Sequence, residues 1–152
     1  MKTHHIYAAY GSNLNHEQMS KRCPKAKFIG TGVLQNYRLV FRGVADIEYS
    51  HGSKVMIGLW SVSNDCVDAL DRYEGYPSLY GRNNVQIYRG AGKHTDAFIY
   101  FMNSVDYRPP QAHYLKSIAD GYEDCNLSLT PLKDALEFTF VQYESANNPA
   151  LA

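Results

Sequence analysis

The chain has 152 residues, 45% of them hydrophobic and 20% charged, and its fifteen basic side chains balance fifteen acidic ones. That length suits one domain whose core buries most of its apolar side chains. A neutral chain without a basic run is not built for nucleic acid, and no apolar stretch approaches the length of a membrane span.

In chain order, Ile6 to Tyr10 reads as a strand that ends at Gly11-Ser12-Asn13. Asn15 then suits an N-cap, with Gln18 three residues on in capping-box position. Met19 and Cys23 lie one turn apart on a short helix that Pro24 stops. Segments 27–34, 36–42 and 54–62 carry β-branched and aromatic residues between Gly, Asn and Ser, and read as strands. Ser63 caps a second helix, with Val62 and Val67 placed as a hydrophobic staple. Cys66, Leu70 and Tyr73 form its buried stripe, and Gly75 stands just past its end. Strands follow at 83–89 and 95–102. Pro109-Pro110 opens a third helix, on which Tyr114, Leu115, Ile118 and Ala119 keep helical spacing up to Gly121. Thr130-Pro131 starts a fourth, reaching about Leu136. Phe138 to Tyr143 fits helix or extended chain equally. The pattern predicts a single α+β domain over residues 1–144, with helices inserted between strands, and a mobile tail over 145–152.

Cys23, Cys66 and Cys125 are an odd and widely spaced set, which suits a reducing compartment and argues against a disulfide framework. The opening MKTHHIYAAYGSNL shows no secretory leader, so the expected location is cytoplasmic. His4 and His5 are neighbours on a strand, point to opposite faces, and make a poor metal pair. The thirteen tyrosines are unusual, and Tyr offers an apolar wall with a polar tip, useful around a small polar ligand.

Two places could carry chemistry. At the strand–Gly11-Ser12-Asn13–helix junction, backbone N–H groups and the positive end of a helix dipole could receive an anion. Glu74 ends a helix beside Gly75, where the dipole disfavours a carboxylate, and Asp71 three residues earlier adds like charge. Both effects raise a carboxyl pKa toward the range useful for proton transfer, as would burial. No GxSxG is present, and none of the three cysteines lies in a catalytic signature.

Tyr7-Ala8-Ala9-Tyr10-Gly11-Ser12-Asn13-Leu14 resembles the opening motif of the gamma-glutamylcyclotransferase-like (AIG2-like) family. Leu70-Asp71-Arg72-Tyr73-Glu74-Gly75 is similar to that family's L-D-x-x-E-G, whose Glu is catalytic. Ile57 to Val62 resembles the strand before the catalytic helix, and Ala97 to Met102 the late strand with its inward Tyr100. Pro109-Pro110, Tyr114, Ile118, Gly121 and Leu127 follow the closing helix. The likeness runs from about residue 5 to residue 138.

The resemblance implies a small mixed β-barrel with helices packed around it and a pocket at one end. It places substrate contacts on Tyr7, Ala8, Ala9, Tyr10, Gly11, Ser12, Asn13, Leu14, Tyr100 and Tyr114, and the acid/base on Glu74. The implied reaction releases 5-oxoproline from a small gamma-glutamyl compound, whose own α-amine is the nucleophile. No metal or cofactor is required, no nucleic-acid or membrane partner is expected, and a homodimer is compatible. A binding protein that sequesters a small ligand without turnover, and an interaction protein in which YGSNL is only a turn, are the alternatives. An acid at an unfavourable helix end argues against the first, and the lack of an exposed apolar stripe against the second.

Overall fold

The computed structural model describes residues 2–148 and 150. In order the elements are β1 (His4–Ala9), a 3₁₀ turn (Ser12–Leu14), α1 (His16–Arg22), β2 (Lys27–Phe41), β3 (Ala45–Ser63), α2 (Asn64–Glu74), β4 (Tyr80–Gly90), β5 (Lys93–Met102), α3 (Ala112–Asp124) and α4 (Thr130–Asn147). The strands close into a barrel in the order β1–β3–β2–β4–β5. Neighbours pair antiparallel except at the seam, where β5 meets β1 in parallel at Tyr7 and Phe98. Ile57, Leu59, Ile87 and Ile99 fill the core.

Two expected strands, 27–34 and 36–42, are one. Asn36 does not break β2; its backbone turns to a positive φ while Ser50–Ser53 bulge out of β3 opposite it, and its Oδ1 accepts from the Gly52 N–H. Such a bulge bends a long hairpin around a barrel without ending it. β3 also starts earlier than expected, because Asp46 and Glu48 look like loop residues in sequence. In the fold they are strand residues neutralised by their partners: Arg42 lies 2.7 Å from Asp46 and 2.9 Å from Glu48, and Arg38 lies 2.8 Å from Glu48.

The segment Phe138–Tyr143 is helical, and α4 continues to Asn147, so Ser145, Ala146 and Asn147 of the expected tail belong to it. Packing decides this. The buried Thr139 hydroxyl accepts from the Phe41 N–H of β2 at 3.1 Å, and the Arg38 guanidinium lies 3.8 Å above the Phe138 ring. Pro149, Leu151 and Ala152 lie outside the described residues. α3 runs through Gly121 to Asp124, because a residue without a side chain is needed where the helix touches the 3₁₀ turn: a Cβ there would stand 2.6 Å from the Asn15 nitrogen and 2.7 Å from the Leu14 carbonyl carbon.

The cysteine reading requires correction. Cys23, closing α1, and Cys66, in the first turn of α2, form a disulfide with their Cα atoms 5.4 Å apart, while Cys125 is free and buried. Their separation of 43 residues hides the pairing until the two helices pack side by side. The cysteine set therefore lends no weight to a reducing compartment. Constraining a loop of that length stabilises the fold by at most about 4 kcal/mol in the chain-entropy account. Urea unfolding with and without reductant should show a lower midpoint after reduction, and a Cys23→Ala/Cys66→Ala chain should match the reduced protein.

Candidate active site

β1 delivers the chain to one end of the barrel, where Gly11 leads into the 3₁₀ turn. Leu14 and Asn15 N–H groups return to the Gly11 and Ser12 carbonyls at 3.0 and 3.1 Å. The Ser12 and Asn13 N–H groups begin the turn and, as at any helix start, have no carbonyl within it to satisfy them. Asn15 caps α1, its Oδ1 accepting from the Gln18 N–H at 3.0 Å. The turn is locked from below, since the Trp60 indole N–H donates to the Asn13 carbonyl at 3.0 Å.

Beside this turn is a cavity of about 190 Å³ lined by Tyr7, Tyr10, Gly11, Ser12, Asn13, Glu74, Tyr100 and Tyr114, together with Val44, Ala45, Tyr73, Leu79 and Tyr80. The fold thus gathers eight of the residues named from the sequence. The side chains of Ala8, Ala9 and Leu14 go elsewhere: all three are wholly buried in the core, Leu14 held between Gly58 and Gly121. Small or apolar side chains in a strand or turn covered on both faces serve packing, whatever their sequence neighbours line.

Six of the thirteen tyrosines line the cavity. The Tyr10 hydroxyl donates to the Tyr100 carbonyl at 2.7 Å, and that of Tyr80 to the Ala45 carbonyl at 2.8 Å. Tyr114 accepts from the Ala45 N–H at 2.9 Å, and Tyr7 accepts from the Asn13 side-chain amide at 3.0 Å. The hydroxyl protons of Tyr7 and Tyr114 are thereby left for a ligand. Burial raises the pKa of Tyr7, Tyr80, Tyr100 and Tyr114, so these phenols stay neutral donors.

Glu74 is the last residue of α2, which Gly75 ends in the left-handed conformation. Burial pushes its carboxyl up to about 7, with the Arg22 guanidinium pulling the other way. The like-charge contribution expected from Asp71 is not what raises it. Asp71 is bound by Arg82 through both oxygens, at 2.7 and 2.8 Å, and accepts from the Tyr100 hydroxyl at 2.7 Å. Asp71 thus aims Tyr100 and leaves Glu74 to desolvation. The opposing cation is Arg22, not the Arg72 or Arg82 closer to Glu74 in sequence.

Sequence reasoning missed Tyr80, Val44, Ala45, Tyr73 and Leu79 as lining residues. Tyr80 begins a strand that the pattern starts at residue 83, and Ala45 lies in the charged half of β3, so neither carried a periodic signal. Among the described residues no cluster of three metal-ligating side chains occurs, and no helix is long and apolar enough to cross a membrane.

A closed barrel whose mouth is formed by a Gly-Ser-Asn turn, a ring of tyrosines and a half-buried helix-terminal glutamate defines a small-ligand site capable of proton transfer. The chain belongs to the family described as gamma-glutamyl cyclotransferase, AIG2-like, whose profile matches residues 7–122. It is 31% identical over 137 residues to a gamma-glutamylcyclotransferase of Homo sapiens, the match covering 82% of this chain and 73% of that protein. A gamma-glutamylcyclotransferase of Mus musculus is 30% identical over 135 residues, with 80% and 72% covered. A solved structure of a gamma-glutamyl cyclotransferase superposes with a TM-score of 0.80 at 27% identity, covering 87% of this chain and 86% of the other.

Proposed function

We propose that this protein is a gamma-glutamylcyclotransferase acting in the cytoplasm on a small gamma-glutamyl compound, with the catalytic unit within residues 1–144. The observation that carries the reading is Glu74: a carboxyl held near 7 by desolvation, in a cavity of about 190 Å³ walled by tyrosines.

The substrate α-carboxylate is held by the N–H groups that open the turn after Gly11, which folds the glutamyl chain so that its α-amine faces its γ-carbonyl. Orientation of this kind is worth several kcal/mol. Ionised Glu74 takes a proton from the α-ammonium. The freed amine attacks the γ-carbonyl carbon and forms the new C–N bond. The tetrahedral intermediate then collapses with cleavage of the original C–N bond; protonated Glu74 returns its proton to the departing nitrogen, and the attacking nitrogen's second proton passes to the released amine, which leaves as its ammonium. The products are 5-oxoproline and an amine or amino acid, and Glu74 ends as it began.

Incubation with a panel of gamma-glutamyl dipeptides and amines should yield 5-oxoproline by mass spectrometry; a panel with no turnover would leave a ligand-sequestering protein. The pH profile follows from the base. Glu74 must be ionised in the free enzyme, and its pKa lies above the ordinary glutamate value, so kcat/KM should fall as pH drops through about 7. An acid limb with its midpoint near 4.5 would place the proton transfer on another group.

A further inference from the structure

We propose that Arg22 is a positioning residue for this reaction, fixing the Asn13 amide so that Tyr7 presents its hydroxyl proton to the substrate. The role given to that proton rests on the cyclotransferase reading; the arrangement of the three side chains does not.

Arg22 ends α1 and donates through Nη1 to the Asn13 Oδ1 and, at 3.4 Å, to the Ser12 hydroxyl. Its guanidinium lies 3.5 Å from the ring centre of Tyr73, the residue before Glu74, so its plane is held as well as its tip. Direction follows from donor chemistry. A guanidinium can only donate, so the Asn13 oxygen must face it. The Asn13 Nδ2 then faces Tyr7 and donates at 3.0 Å. Tyr7 has to accept, and its own proton is left for the cavity it lines. Without Arg22 the amide can turn over; its oxygen then faces Tyr7 and takes the proton that otherwise points at the substrate. A neutral, buried phenol suits the oxygen that becomes negative when the amine attacks.

Arg22 also acts as the cation opposing burial at Glu74. The other titratable groups facing Glu74 are Tyr7 and Tyr10 from β1 and the residue after it, Tyr80 from β4 and Tyr114 from α3, with Tyr73 beside it on α2. Burial raises Tyr7, Tyr10, Tyr80 and Tyr114 above the ordinary phenol value, so these four are uncharged near neutrality and Arg22 is the charge that sets the balance.

The test compares Arg22→Met, which keeps the aliphatic stem, with Arg22→Lys, which restores a charge and a donor. Two NMR readouts need no turnover: the titration of the Glu74 side-chain carboxyl carbon, and the nuclear Overhauser contact from the Asn13 side-chain amide protons to the Tyr7 ring. In Arg22→Met the Glu74 midpoint should move up and the Asn13–Tyr7 contact should be lost; Arg22→Lys should return both in part. In turnover assays kcat should fall by roughly 10- to 100-fold in Arg22→Met, with KM changing less and Lys recovering part of the loss. A folded Arg22→Met chain that keeps the Glu74 midpoint and the Asn13–Tyr7 contact overturns the proposal, as does wild-type kcat. A wild-type protein that forms no 5-oxoproline refutes the function while the two NMR readouts still decide the arrangement.

Discussion

Glu74→Gln is expected to fold, to become more stable above neutral pH, and to lose turnover by about two to four orders of magnitude or more. The kinetic loss follows because an amide can neither take the α-ammonium proton nor return one to the leaving nitrogen, and one such transfer alone contributes about 10²–10⁴-fold. The stability gain follows from linkage. The Glu74 carboxyl has a folded-state pKa near 7 against an ordinary 4.5, so between these values the folded chain keeps a proton that the unfolded chain has released. Stability therefore falls as pH rises through that window, and above it the ionised, partly desolvated carboxylate destabilises the fold by at most something on the order of 3 kcal/mol. Glutamine removes that burden. Urea unfolding at pH 4 and pH 8 should show the variant close to wild type at the lower pH and ahead of it at the higher, while its 5-oxoproline yield is near zero. A variant that retains a tenth of wild-type kcat/KM would exclude Glu74 as the acid/base.

Gly121→Ala should do comparable damage from outside the cavity. In an exposed helix interior this change gains up to about 1 kcal/mol of propensity. Here the new Cβ would stand 2.6 Å from the Asn15 nitrogen and 2.7 Å from the Leu14 carbonyl carbon. Both are backbone atoms of the segment that carries the turn, so neither can rotate away. Overpacking of this kind typically destabilises by about 1–3 kcal/mol, which outweighs the propensity gain. The accommodation must come from α3 or the turn shifting. Since Tyr114 on α3 clasps Ala45 and the turn holds Ser12 and Asn13, either movement disturbs the cavity. A displacement of about 1 Å can reduce kcat/KM by about 10²-fold. Thermal unfolding and steady-state kinetics on one preparation will separate the two effects; a variant as stable and active as wild type would mean that α3 and the turn yield at no loss.

The sequence made the turn and Glu74 legible because both are written in local grammar: a glycine after an apolar strand, a cap, a helix stop, and a carboxylate at the wrong end of a dipole. The barrel was legible only through family resemblance. Its closure depends on β1 meeting β5, a pairing that no periodicity encodes. The first half of β3 was unreadable because Asp46 and Glu48 become strand residues only once Arg42 and Arg38 neutralise them. Arg22 and Tyr80 escaped for a related reason. One is a helix-terminal arginine, ordinary on dipole grounds. The other precedes the alternation that announces its strand. The bond between Cys23 and Cys66 was hidden by the distance between them in the chain.

The parallel seam has a kinetic consequence. β1 emerges first and carries the turn, yet its register with β5 at Tyr7 and Phe98 awaits nearly two thirds of the chain. Contacts so far apart in sequence put loop closure before the stabilising pairing, and folds dominated by them form slowly. The cavity's wall includes Tyr100 of β5 and Tyr80 of β4, so it does not exist in any intermediate whose seam is open. Ligand binding during refolding would then report barrel closure directly, appearing only in the final phase, after fluorescence of the Trp60 environment has already changed.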